Sequence, residues 1–219
     1  MSDSNKFGYV GYQNNPEQSF TSSAGVFSVN EIYGLVREDK FPTYGQLELI
    51  QSQSITSATT YMTFSNLTND YSVHLLTLNS ITSDGSNPSL RFQLSDDNGS
   101  TYATSGYHYA GQYNDEGTNG QSRTTASDAF YPLVNVSGLT NGAGNCFIYL
   151  YDFLDNAKYS YISWHSASVT GSGATANRSW FGSGTLPTTT SHNAFRLYFN
   201  NSADITNLQA SLYGIREYS

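Results

Sequence analysis

The sequence predicts an all-β fold: a jelly-roll-like antiparallel β-sandwich preceded by an extended N-terminal arm and one short helix. Three observations predict it. Aromatic residues reach 15%, with 18 Tyr, and the aromatic and β-branched types suit a pleated, half-buried surface. From about residue 46 onward, hydrophobicity repeats every second residue. Between the alternating runs lie clusters of Gly, Asn and Ser, the residues that turns demand for positive φ or for side-chain capping.

The elements follow in chain order. Residues 1 to 24 form a polar arm holding Phe7, Tyr9 and Tyr12, with no periodicity long enough for a core. Ser28-Val29-Asn30-Glu31 is a capping box, flanked by a Phe27–Ile32 hydrophobic staple. Ile32, Leu35 and Val36 share one helical face, and Pro42 closes the segment, so a helix is expected over 28 to 38. A helix this short is marginal alone and must dock on something. The division expected is therefore an assembly anchor over 1 to 45 and a β-sandwich over 46 to 219.

Within the sandwich, Leu47 to Gln53, Tyr61 to Phe64 and Phe130 to Val136 read as strands. Leu90 to Ser95, Phe195 to Phe199 and Ala210 to Ile215 alternate cleanly. Asp97-Asn98-Gly99-Ser100 signals a type I′ hairpin turn, with Tyr102 to Gln112 returning as the next strand. Val73 to Leu78, Cys146 to Leu154 and Tyr159 to Trp164 are apolar on both faces. Such strands belong at a sheet centre, covered on both sides. Residues 113 to 127 and 170 to 193 are polar and read as long loops, the second carrying Trp180 and Phe181.

Composition narrows the function classes. Net charge is −8, and the nine basic residues are scattered. A nucleic-acid binder needs a basic stripe, so no nucleic-acid partner is expected. Charged residues make up 12%, against about 25% in an average domain. No apolar run long enough to insert in a membrane occurs, and the polar opening Met1-Ser2-Asp3-Ser4-Asn5 lacks the apolar stretch of a secretory leader. Folding in a cytoplasm is expected. The single cysteine, Cys146, reads as a core residue of a strand.

The sequence carries little recognisable catalytic chemistry. No nucleophile elbow, Walker loop or dinucleotide fingerprint is present. His74, His108, His165 and His192 lack ligand spacing. Glu48 and Asp152 are the carboxylates that strands would carry, the minimum that glycoside hydrolysis needs. Asp96, Asp97 and Asn98 offer oxygens to Ca²⁺, but turn formation already accounts for them. The expectation is no enzyme, no catalytic residue, no resident metal and no cofactor.

One resemblance stands out. Ala24-Gly25-Val26-Phe27-Ser28-Val29-Asn30-Glu31-Ile32-Tyr33 resembles the Gly-Val-Phe-Ser-Leu-x-Glu segment near the start of structural proteins of tailed bacteriophages, cyanophages and other marine phages in particular. Leu49 to Gln53, the turn region Arg91 to Thr101, Tyr107-His108-Tyr109-Ala110-Gly111 and the closing Leu212-Tyr213-Gly214-Ile215 are similar to a jelly-roll domain of those proteins. The turn here has one Gly where the family often has two.

The resemblance implies a virion component partnered by other virion proteins, and a homo-oligomer, a trimer for such appendages. Its most direct form is a short tail fibre or tail appendage contributing to host attachment through cell-surface polysaccharide. The alternatives are a capsid decoration protein, and a carbohydrate-active enzyme or carbohydrate-binding module. Phe7, Tyr9, Tyr12, Phe27, Ile32, Leu35 and Val36 would anchor the arm and helix. Tyr107, Tyr109, Tyr113, Trp180 and Phe181 would form the contact face, because flat rings stack on sugars and on protein partners.

Overall fold

The computed structural model describes Val29, Tyr33, Gly34, Arg37 and residues 47–133, 135–136, 144–170 and 176–216. The chain separates into two units, Met1–Gly45 and Gln46–Ser219. In the first, Val29, Tyr33, Gly34 and Arg37 are helical, inside the span where a helix is expected. The seven anchor residues Phe7, Tyr9, Tyr12, Phe27, Ile32, Leu35 and Val36 lie outside the described residues.

The second unit is a sandwich of antiparallel strands. They are β1 (Leu47–Ile55), β2 (Tyr61–Phe64), β3 (Val73–Ser83), β4 (Leu90–Ser95), β5 (Tyr107–Asp115) and β6 (Thr118–Ser127). After them come β7 (Phe130–Leu133), β8 (Gly144–Tyr151), β9 (Ser160–Thr170), β10 (Ala176–Leu186), β11 (Ala194–Phe199) and β12 (Ile205–Ile215). An eight-stranded sheet runs β1-β12-β3-β8-β9-β10-β5-β6, and a four-stranded sheet runs β2-β11-β4-β7. The chain crosses between sheets at eight of its eleven strand connections. The two four-strand blocks β1-β12-β3-β8 and β2-β11-β4-β7 reproduce the interleaved double Greek key of a jelly roll. Two hairpins inserted in that frame, β9-β10 and β5-β6, widen one sheet to twice the width of the other.

Alternation builds the core. Leu76, Leu78, Ile148, Leu150 and Leu212 point inward from the long sheet and are buried. They meet Phe64, Phe92, Leu94, Phe195 and Leu197 of the short sheet. Phe195 is stacked between Phe64 and Phe92, at ring separations of 4.9 and 4.7 Å. Cys146 is buried on β8 among these residues, and burial pushes its thiol well above the ordinary range.

Three sequence expectations need correction. The first concerns the hairpin. The turn at Asp97–Ser100 forms, with Asn98 at φ 61 and Gly99 at φ 91 and a Ser100 N–H to Asp97 C=O bond of 3.4 Å. Both positive φ values are those of type I′. Yet β4 does not pair with β5. After Ala103 donates to Leu94 C=O at 2.9 Å, the chain leaves for the long sheet. The second concerns residues 113 to 127, which are not a loop: they finish β5, turn at Glu116-Gly117 and return as β6. The third concerns 170 to 193, where Ala176–Leu186 is β10, paired on both sides by β9 and β5.

The missing signal has a physical cause. In β10 and β5 the inward positions Gly111, Gly182 and Gly184 are glycine rather than apolar, because aromatic rings of Trp180, Trp164 and Phe130 occupy the space a side chain would take. A Cβ on Gly182 would lie 2.6 Å from the Trp164 ring, and one on Gly111 would lie 2.6 Å from the Trp180 ring. These strands therefore bury large surface with little apparent hydrophobicity.

Candidate functional site

Residue placement along the sheet decides which aromatic groups face outward. Tyr107, Tyr109, Gly111 and Tyr113 alternate on the inner side of β5, as Trp180 does on β10. Tyr107 and Trp180 are fully buried, so neither is a contact residue. The Tyr107 hydroxyl accepts from Leu94 N–H at 2.8 Å and donates to Ala103 C=O at 3.1 Å. Trp180 Nε1–H donates to Tyr131 C=O at 2.7 Å. Tyr109 and Tyr113 are half-buried and pack against the core, with Tyr113 beside Trp180 and under the Arg178 guanidinium. Of the five residues expected on the contact face, Phe181 alone projects outward, 41% exposed.

The outer face of the eight-stranded sheet is where the exposed rings gather. Cross-strand register lays residues out in rows across it. One row reads Leu49, Tyr213, Leu75, Tyr149, Ser163, Ser183, Ala110, Arg123 from β1 to β6. The next reads Leu47, Ile215, Val73, Tyr151, Tyr161, Thr185, His108. The face divides into two halves. Over β1, β12 and β3 these two rows are mainly aliphatic, with Leu47 and Leu49 half or more exposed and Val73, Leu75 and Ile215 partly so. Over β9, β10 and β5 the first row is small, with Ser163, Ser183 and Ala110, and the second carries Tyr161, Thr185 and His108. Phe147, Tyr149 and Tyr151 of β8 form an aromatic ridge between the halves, its rings in contact with one another along the strand.

East of that ridge, in the direction of β6, the small residues leave an open trough of about 750 Å³. Its floor is the row Ser163, Ser183, Ala110, and one wall is Tyr161, Thr185, His108. Tyr151 closes one end and Arg123 the other. The Tyr151 hydroxyl lies 3.1 Å from Ser163 Oγ, which fixes the ring at the edge of the floor. Tyr161 is 45% exposed.

The carboxylates that sequence reading singled out lie elsewhere. Glu48 pairs with Arg216, and Asp152 pairs with Lys158 at 2.9 Å. Asp152 and Lys158 line a smaller polar cavity of about 300 Å³ with Tyr71 and Arg216. Hydrogen bonds from Tyr71 and then Arg216 hold the Glu48 carboxyl below the ordinary range. A general acid needs the opposite shift. At the turn, Asp97 accepts from Thr101 N–H at 2.8 Å, Thr101 Oγ1 at 2.6 Å and Ser95 Oγ at 2.8 Å, which brings its pKa down to about 2. Its oxygens are thereby engaged in closing the turn. Among the described residues no three His, Cys, Asp or Glu side chains converge as metal ligands do.

The four histidines also separate. His74 is buried on the inner face of β3, and its Nε2 has no hydrogen-bond partner among the described residues. His192 is buried with Nδ1 2.8 Å from Ser160 Oγ. His165 faces outward, 3.1 Å from Ser179 Oγ. His108 stands in the trough wall. Sequence reasoning missed Tyr151, Tyr161 and Arg123 as neighbours, because only the β8-β9-β10-β5-β6 register brings them to one surface.

Comparison with family models, with curated proteins and with solved structures finds no match to this chain.

Proposed function

We propose that this chain is a non-enzymatic structural subunit of a tailed-phage particle, of the short tail fibre or tail appendage type, exposed on the virion and contributing to host attachment. One observation carries the reading beside the sequence resemblance. The chain has 17 Asp and Glu, yet the outward positions of β12, β3, β8, β9 and β10 include no Asp, Glu, Lys or Arg. A broad uncharged face, with Tyr, Phe and aliphatic side chains set among small polar ones, on a strongly acidic protein suits an interaction surface.

Its two halves suit two partners. The aliphatic half over β1, β12 and β3 packs against a sister copy, which makes the subunit a homo-oligomer, a trimer in the appendage reading. Two such faces carry no like charges to repel each other. The hydroxyl and aromatic half over β9, β10 and β5 stays open to the host surface. Capsid decoration is the competing assignment, and it accounts for the aliphatic half but gives the trough no task.

The test is the position of this protein's density on an intact particle. Density on the tail or its appendages supports the proposal. Density distributed over the shell, with binding to empty capsids that lack tails, refutes it in favour of decoration.

A further inference from the structure

We infer that the trough on β8, β9, β10, β5 and β6 binds an acidic oligosaccharide, with Tyr161 and Tyr151 as stacking planes and Arg123 as the carboxylate-recognising group. The inference rests on the attachment reading above and names the ligand class for it.

Shape comes first. The five strands that cross the trough have four inter-strand gaps, roughly 19 Å in all, which fits an extended chain of several sugar residues. The floor of Ser163, Ser183 and Ala110 is low because its side chains are short. A ligand lying in it reaches the Ser183 hydroxyl, the lone pairs that Ser163 Oγ and Thr185 Oγ1 keep beside their bonds to Tyr151 and Ser160 C=O, and the ring of His108. Sugars offer hydroxyls on their edges and C–H groups on their faces. Edge-on hydroxyl partners beside an exposed tyrosine ring match that pattern.

Charge narrows the class. No Asp or Glu lines the trough, although acids outnumber bases across the chain by 17 to 9. Its one permanent charge is the Arg123 guanidinium. Elsewhere Arg91, Arg178 and Arg216 face Asp128, Asp115 and Glu48, and Arg196 holds the Gln93 carbonyl. Arg123 is exposed and has no ion-pair partner among the described residues. An unmatched guanidinium at the end of an acid-free groove fits a carboxylate on the ligand, which it can grip with two parallel N–H donors. A neutral glycan would leave that group unused.

The experiment is calorimetric titration of the full chain with hexagalacturonate, and with cellohexaose as the neutral probe of equal length. Arg123→Gln and Tyr161→Ala are made alongside, with circular dichroism to verify that the fold persists. Both side chains are exposed, so neither change opens a cavity. The expected result is binding of the uronate, at least about tenfold weaker in Arg123→Gln, as loss of a charge-assisted pair implies. Tyr161→Ala should weaken both probes. Uronate affinity unchanged in Arg123→Gln, equal affinity for both probes, or no uronate binding by the native chain would each overturn the inference.

A second arm separates this from the attachment reading. The labelled chain is applied to envelope polysaccharide from a bacterium that the particle infects. If the native chain and Arg123→Gln bind it equally, the trough is not the site and attachment survives. If the native chain does not bind, attachment itself fails, and the trough has no host ligand.

Discussion

Acid should weaken this fold before its carboxylates titrate, and one imidazole on β3 sets how much. His74 is 1% exposed, with Gly214 and Leu150 as its cross-strand neighbours and the Tyr71 ring 5.9 Å away. Burial pushes its pKa from the ordinary 6.5 down to about 4. The native state thus holds the neutral ring where the unfolded chain would already be protonated. Above pH 6.5 the group leaves stability unchanged. As pH falls from 6.5 toward 4, the unfolded state takes up the proton first and stability is lost. Linkage gives a loss of about 1.4 kcal/mol per pH unit in this window, about 2 kcal/mol by pH 5 and about 3 kcal/mol by pH 4. His192, also lowered by burial, adds in the same direction.

Urea unfolding at pH 7, 6, 5 and 4.5 measures this, with His74→Leu compared at each value. The variant should lose most of the pH dependence between 6.5 and 4.5 even if it is less stable at pH 7. An equally steep decline in His74→Leu would refute the assignment. So would an NMR titration placing the native His74 near 6.5.

Two further expectations follow from the core. Phe92 stacks on Phe195 and touches Phe130 and Phe153. Phe92→Ala should cost about 3 to 5 kcal/mol in denaturant unfolding, with little change in m-value. Cys146 is buried, so a thiol reagent such as dithionitrobenzoate should react with the native chain only at the rate of opening, and at full rate in urea; fast labelling of native protein would place β8 outside the core.

The legibility of the fold tracked the visibility of the apolar residues. Phe92 and Leu94, or Leu197 and Phe199, show period two directly, and β4 and β11 fall where alternation put them. The central strands β3, β8 and β9 also appear where both faces are apolar. β10 and β6 do not announce themselves. β10 spends its inward positions on Gly182 and Gly184, and β6 is polar throughout, held as an edge by pairing with β5. The jelly-roll pairing of β1 with β12, more than 150 residues apart in sequence, is written in no local pattern.

The contact residues show the same boundary. Tyr107, Tyr109 and Tyr113 share a parity, so once β5 is known to be a strand with a buried side they fall together on it. The alternation alone could have indicated this. Phe181 has the parity opposite to Trp180 and so faces out. Tyr151 and Tyr161 become neighbours through the register of β8 on β9, and Arg123 joins them through three further pairings. Registers between distant strands are set by the packed core, which single residues do not encode.

The outer face of the long sheet as an assembly surface is tested most directly by sedimentation of the full chain at tens of micromolar. The comparison is a variant carrying Leu49→Glu and Leu75→Glu on the aliphatic half. A native oligomer that the two substitutions reduce to a folded monomer is the expected outcome. A native chain that sediments as a monomer, or a variant that stays oligomeric, would contradict it.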